Sequence, residues 1–200
     1  MASDPDAALM LAFQGGDERA FRTLFDRHGR AMVSFCHHYV RNAARAEELA
    51  QDVFLKVHRS APRYQPTARF KTWLYRIAAN HCLNELRRGE YSVRRESAPR
   101  DGGESEPLDL DTLPSGGATP EETAMGEALA TAVHALLARL PEKQRTAFVL
   151  CRLEGLSYED IAEVLETSVS AVKSLLHRAT VAAAEALAPW SAPDGNEVRQ

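Results

Sequence analysis

Cysteine is scarce in this 200-residue chain. Only Cys36, Cys82 and Cys151 occur, far apart and never in CxxC spacing. That argues against a disulfide framework and against a zinc knuckle, and it fits a reduced compartment. Long apolar runs are missing too: no stretch approaches the ~20 residues of a membrane-spanning helix. The opening MASDPDAALMLAFQGG starts acidic and lacks the basic n-region of a signal peptide. The chain therefore reads as a soluble, cytoplasmic protein. Positive charge is not in excess either, with 24 Lys+Arg against 28 Asp+Glu and a formal net charge of -4. A protein that coats DNA non-specifically would be basic overall, so any nucleic-acid contact must come from local patches or from a partner. Strand signals are nearly absent, which leaves an all-α reading.

What is present is helical periodicity. From Ala7 to Arg88 apolar residues recur at three- and four-residue steps: Leu24, Phe25 and His28; Met32, Phe35, Cys36 and Tyr39; Leu49, Val53 and Val57; Trp73, Leu74, Ile77 and Ala78. Breakers at Gly15-Gly16, Pro62 and Pro66 divide this region into four helices. After Gly89 the composition turns to Gly, Pro and Ser. Between Pro99 and Glu122, Arg100 stands alone against Asp101, Glu104, Glu106, Asp109, Asp111, Glu121 and Glu122. Such a segment cannot bury enough apolar surface to order itself and reads as an acidic tether, with Leu108, Leu110 and Leu113 as an island that can dock. Periodicity resumes near Glu122. Leu129, Val133, Leu136, Leu137 and Leu140 form one stripe; Pro141 opens a further helix at its first position, with Phe148, Val149 and Leu153 on its apolar face and Gly155 to end it. The expected organisation is a helical domain over 7–95, a flexible acidic linker over 96–121, a second helical domain over 122–187 and a disordered tail over 188–200.

The stretch LSYEDIAEVLETSVSAVKSLLHRA, Leu156 to Ala179, has the layout of a helix-turn-helix. Ser157 with Asp160 makes a capping-box start. Ile161 and Leu165 face inward, and Ala162 is small enough for a second helix to cross closely. Glu166-Thr167-Ser168 forms the turn, with Ser168 as N-cap of the next helix. The turn favours a positive φ where Glu166 stands, which costs a non-glycine residue about 1 kcal/mol. Val172, Leu175 and Leu176 point inward. Ser170, Lys173, Ser174, His177 and Arg178 are left on one outward face, where Arg and Lys can reach guanine edges or phosphates and Ser can take either role. The competing reading is an ordinary antiparallel helix pair with a solvated face.

A second basic stretch, Ala68 to Arg95, interleaves Arg69, Lys71, Arg76, Arg87, Arg88, Arg94 and Arg95 with Phe70, Trp73 and Tyr75, against only Glu85 and Glu90. Cations beside stackable rings suit single-stranded or melted DNA. Trp73 and Tyr75 diverge on a helix, so at least one lies near the surface. Asn80 and Asn84, a turn apart, can hydrogen-bond base edges. The competing reading is a basic amphipathic helix with core aromatics. An enzyme built on Cys36, His37 and His38, or on His81 and Cys82, is disfavoured: these neighbours diverge and no third group is spaced to complete a site, so no catalytic residue, cofactor or metal is expected.

The run AEELAQDVFLKVHRSAPRYQPTARFKTWLYRIAANHCLNELRR, followed by the acidic linker and LPEKQRTAFVLCRLEGLSYEDIAEVLETSVSAVKSLLHRA, resembles bacterial RNA polymerase sigma factors of the extracytoplasmic-function (ECF) group of the sigma-70 family. These keep two domains, σ2 and σ4. The resemblance implies a transcription initiation factor, not an enzyme, that binds core polymerase, reads promoter −35 and −10 elements and favours strand opening. Its implied partners are core RNA polymerase (the β′ clamp helices and the β flap), promoter DNA and an anti-sigma factor. It implies polymerase docking through Glu48, Gln51 and Asp52. The −10 element falls to Phe70, Lys71, Trp73, Arg76, Asn80, Asn84, Arg87 and Arg88, with a flipped base captured by the loop Arg63 to Lys71. The −35 element falls to Ser170, Lys173, Ser174, His177 and Arg178. The alternative is a free-standing helix-turn-helix regulator that binds duplex DNA without polymerase.

Overall fold

The structure, a computed structural model, describes residues 4–95 and 120–190. Its regular elements among the described residues are all helical. The N-terminal group comprises α1 (Pro5–Gln14), α2 (Glu18–Val40), α3 (Ala43–Ser60), a 3-10 turn (Ala61–Arg63) and α4 (Phe70–Arg95). The C-terminal group comprises α5 (Pro120–Arg139), α6 (Glu142–Arg152), α7 (Tyr158–Val164) and α8 (Val169–Leu187), closed by a 3-10 turn at Ala188–Trp190. The expected four helices of the first region are therefore present.

Capping chemistry explains most boundaries. Asp4 accepts from the Asp6 N–H at 3.0 Å and, with its other oxygen, from the Phe70 N–H at 2.7 Å. One carboxylate thus satisfies the exposed amides at the starts of both α1 and α4, where the helix dipole also favours negative charge. Asp17 and Asn42 cap α2 and α3 in the same way. Gln14 ties the end of α1 to the 3-10 turn by donating to the carbonyls of Ala61 and Tyr64. Pro141 is the N-cap of α6, one residue earlier than its expected first-turn place. Its extended ψ of 146 leaves its carbonyl free to accept from the Arg145 N–H at 2.9 Å.

Leu24, Met32, Phe35, Leu49, Val53, Leu74 and Tyr75 fill the core of the N-terminal group, and Leu137, Leu150, Ile161, Val172 and Ala179 that of the C-terminal group. Three residues on expected apolar stripes are instead exposed: Phe25, Leu129 and Leu153. Phe25 lies at the rim, where its ring meets the edge of Phe54 at 4.8 Å. The first three residues of the expected tail are a 3-10 turn rather than disordered. The tether island Leu108, Leu110 and Leu113 lies outside the described residues. The two groups do not stand apart: α4 packs on α7 and α2 touches α5.

Candidate nucleic-acid interface

The C-terminal helix pair is built as its spacing predicts. The Ser157 Oγ accepts from the Asp160 N–H at 3.1 Å and donates to the Asp160 carboxylate at 2.7 Å, a reciprocal start for α7. Leu165 to Thr167 turn the chain, and Glu166 sits at φ 49, the left-handed region. Ser168 then caps α8 by accepting from the Ala171 N–H at 3.2 Å. Val172, Leu176, Ala179 and Ala183 of α8 are buried, whereas Ser170, Lys173, Ser174, His177 and Arg178 are all exposed on the opposite face. Ser174 donates back to the Ser170 carbonyl at 3.1 Å, so its hydroxyl is held against the helix. A face of this kind, led by a capped N-terminus, can enter a major groove.

In α4 the aromatic residues divide. Tyr75 is buried at 1% exposure and Trp73 is half-buried, so one ring stays near the surface as the spacing requires. Phe70 is at 0%, enclosed by Tyr64, Trp73 and His28. With no free face it cannot itself stack on a base in this arrangement; it anchors the loop instead. Arg76, Asn80, Asn84, Arg87 and Arg88 are exposed along the helix. Trp73 stands between two cavities. One, of about 550 Å³, is lined by Arg59, Ser60, Pro62, Arg63, Trp73 and Ile77. The other, of about 300 Å³, is lined by Gln65, Thr67, Ala68, Thr72, Trp73, Arg76 and Glu163. Arg59 and Ile77 are additions that sequence reasoning missed; the signal was available, since Arg59 lies one turn before Arg63 at the end of α3. An indole flanked by guanidinium groups in a concave wall can hold a stacked base and its phosphates.

The N-terminal half of α4 is covered by the C-terminal group. Tyr75 donates its hydroxyl to the Glu154 carboxylate, and Lys71 donates to the Glu154 carbonyl at 2.7 Å. Thr72 donates to Asp160 at 2.6 Å, and Glu163 is among the residues lining the smaller cavity. Further along, Arg87 pairs with Glu142 at 3.0 Å, and Tyr39 donates to Thr146 at 2.9 Å in a buried contact. Burial pushes the Glu154 carboxyl above its ordinary value, against the pull of Tyr75 and Lys71. Burial also works to raise Asp160, but hydrogen bonds from Thr72 and Ser157 outweigh it and hold that carboxyl below the usual range. Acidic groups thus lie against the cationic face that the resemblance assigns to DNA.

On α3, Glu48 and Gln51 are exposed and Asp52 is half-buried, all on one face. Glu48 pairs with Arg45 at 2.6 Å, an exposed pair of little energetic weight, and Asp52 lies 3.3 Å from His81. Leu55, one turn beyond Gln51, is 53% exposed and extends this face with an apolar side chain that sequence reasoning passed over. Cys36 and Cys82 face each other in the core with sulfurs 3.7 Å apart. The hydrogen bond to Cys36 and burial push the Cys82 thiol well up, which makes it a poor nucleophile. Among the described residues no cluster of three or more His, Cys, Asp or Glu is placed to hold a metal ion.

Comparison with known proteins agrees on both halves. Residues 24–90 match the family model described as Sigma-70 region 2, and residues 130–181 match Sigma-70, region 4. The chain is 33% identical over 194 residues to the RNA polymerase sigma-H factor of Pseudomonas aeruginosa, covering 94% of this chain and 97% of that protein. It is 35% identical over 176 residues to the ECF RNA polymerase sigma-E factor of Haemophilus influenzae, covering 87% and 90%. Its fold is similar to that of CnrH solved with the cytosolic domain of CnrY, at a TM-score of 0.67 and 24% identity, over 94% of this chain and 99% of that one. It is also similar in fold to the sigma factor RpoE solved with the anti-sigma factor NepR from Bartonella quintana, at 0.62 and 22%, over 84% and 96%.

Proposed function

The chain belongs to the sigma-70 family of RNA polymerase sigma factors, in its ECF group, and from that premise we propose a division of labour among its residues. It is a transcription initiation factor that binds RNA polymerase and directs it to promoters; the free-standing regulator is not favoured. Lys173, His177 and Arg178, with Ser170 and Ser174 beside them, read the −35 duplex from the exposed face of α8. Trp73, Arg76, Asn80 and Asn84 receive the −10 strand, with Arg59 and Arg63 on its phosphates and Arg87 and Arg88 farther along α4. Glu48, Gln51, Asp52 and Leu55 form the polymerase-docking face of α3. An anti-sigma factor is a further partner in this reading, because the RpoE structure of similar fold was solved with one.

One observation supports the mechanism: the start of α4, at Lys71, Thr72 and Tyr75, is engaged by Glu154 and by Asp160 of α7, and Glu163 of α7 shares the smaller cavity with Trp73 and Arg76. A free chain in this arrangement has an open −35 face, whereas on α4 Lys71, Thr72 and Tyr75 are engaged by the C-terminal group while Arg76, Asn80, Asn84, Arg87 and Arg88 stay exposed. Core polymerase, by holding the two groups apart at a set span, frees the Lys71–Tyr75 end of the second reader and makes two modest sites act together through effective concentration. A base drawn into the Trp73 cavity then offsets part of the unstacking cost of strand opening. Run-off transcription tests this: purified chain plus core polymerase should yield discrete promoter-initiated transcripts, and an absence of transcripts from every promoter-bearing fragment of the parent genome would end the reading.

A further inference from the structure

Three histidines meet where the two helical groups join. His37 and His38 occupy the last turn of α2, and His134 comes across from α5. The His134 ring stands 5.1 Å from that of His37, nearly perpendicular, and 5.8 Å from that of His38. His37 is only 7% exposed, and both its Nε2 and the Nδ1 of His38 are buried with no hydrogen-bond partner among the described residues. Buried imidazole nitrogens without partners are costly, and a proton there would have no acceptor to compensate it. Among the described residues, the charges acting on the trio are its own members and Arg41, the left-handed residue that ends α2; no carboxylate acts on it. From α6, Arg145 faces the same end of α2, with its guanidinium 6.0 Å over the Tyr39 ring.

We propose that His37, His38 and His134 form a proton-sensitive joint: neutral, they pack the C-terminal group against α2; protonated, they repel across the joint, part the groups and free the start of α4. The consequence for DNA rests on the reading of α4 as the −10 reader. The sign follows from burial. Burial first, and then the charges of His134 and His37, hold His38 down to about 4, and burial lowers His37 and His134 as well. Histidines held low in the closed form take up protons more readily when the groups part. Closure is thus complete above the ordinary value of 6.5 and is lost as pH falls from there towards about 4. For His38 alone, a fall from about pH 7.5 to about 5.5 multiplies the parted-to-closed ratio by roughly ten. Glu154 opposes this, since its carboxyl is raised on closing, but it acts nearer the carboxylate range.

The test uses the full chain in chelator-containing buffer. Small-angle scattering at the two pH values reads the joint, and binding of labelled mixed-sequence single-stranded DNA reads α4. The wild type should expand at the lower pH and gain single-strand affinity by about tenfold, while the double variant His38→Asn/His134→Gln should lose most of the pH response, with Glu154 cancelling from the comparison. Equal expansion of both proteins, or none in the wild type, overturns the joint. Expansion without a gain in DNA affinity leaves the joint standing and overturns the reading of α4. Because the variant can lose packing outright, imidazole proton titrations by NMR on the wild type supply a second measure. A midpoint well below 6.5 for His38 and a lowered one for His134 support the joint, and ordinary midpoints overturn it.

Discussion

Replacing Glu154 with alanine removes the carboxylate to which Tyr75 donates and whose charge acts on Lys71, while leaving every residue assigned to DNA or to polymerase in place. If the groups stay closed, the Tyr75 hydroxyl is left at 1% exposure with no acceptor. A hydrogen bond to a charged group contributes about 1.5–3 kcal/mol, and orphaning a buried donor costs a comparable amount. Part of this is already offset in the wild type, because burial penalises the Glu154 carboxylate, as its raised pKa shows. The lower end, about 1.5 kcal/mol, is therefore the fair figure, and it shifts the parted-to-closed ratio roughly tenfold. The Lys71 bond to the Glu154 carbonyl does not depend on the side chain and remains available to the closed form. Fluorescence anisotropy with labelled single-stranded DNA should show Glu154→Ala in the free chain binding about tenfold more tightly, while transcription by the assembled holoenzyme is unchanged. Two results would refute the reasoning. Unchanged affinity with unchanged scattering would mean the bond holds nothing, and a parted chain with unchanged affinity would mean the covered face is not a DNA reader.

Three other expectations concern separate parts of the molecule. Asn80→Ala should leave closed promoter complexes intact but reduce open complexes, read by permanganate reactivity, by about tenfold; equal opening would remove Asn80 from the reader. Glu166→Gly should raise the denaturant midpoint, since relief of the strained φ of 49 outweighs the extra unfolded-state freedom by at most about 1 kcal/mol. Leu55→Asp should weaken core-polymerase binding at least tenfold, by the loss of about 1.4 kcal/mol or more, with no change in melting temperature because Leu55 is 53% exposed.

Features that depend on nearest neighbours are legible in the residues alone. Ser157, Glu166 and Ser168 each do in three dimensions what their spacing implies, because caps and turns are decided by backbone groups a few residues away. The outward face of α8 follows from period alone. Features that depend on distant packing are not legible in that way. Phe70 looks like a stacking ring in a basic stretch, yet Asp4, some sixty residues earlier, fixes its amide and the neighbouring rings enclose it. Leu129 and Leu153 belong to apolar stripes whose ends outrun the surface they pack on. Least visible is the closure itself. Glu154 is one acid among many after a helix, and nothing local announces that it meets Tyr75 across the joint.

On the proposed division of labour, DNA reading by this chain depends on a host enzyme that parts and spaces its two readers. The most direct measurement compares binding to one promoter fragment by the free chain, by core polymerase and by the two together, at a single stated salt concentration. Selective binding and strand opening are expected only for the combination. Selective, tight binding of the duplex by the free chain, unimproved by core polymerase, would contradict it.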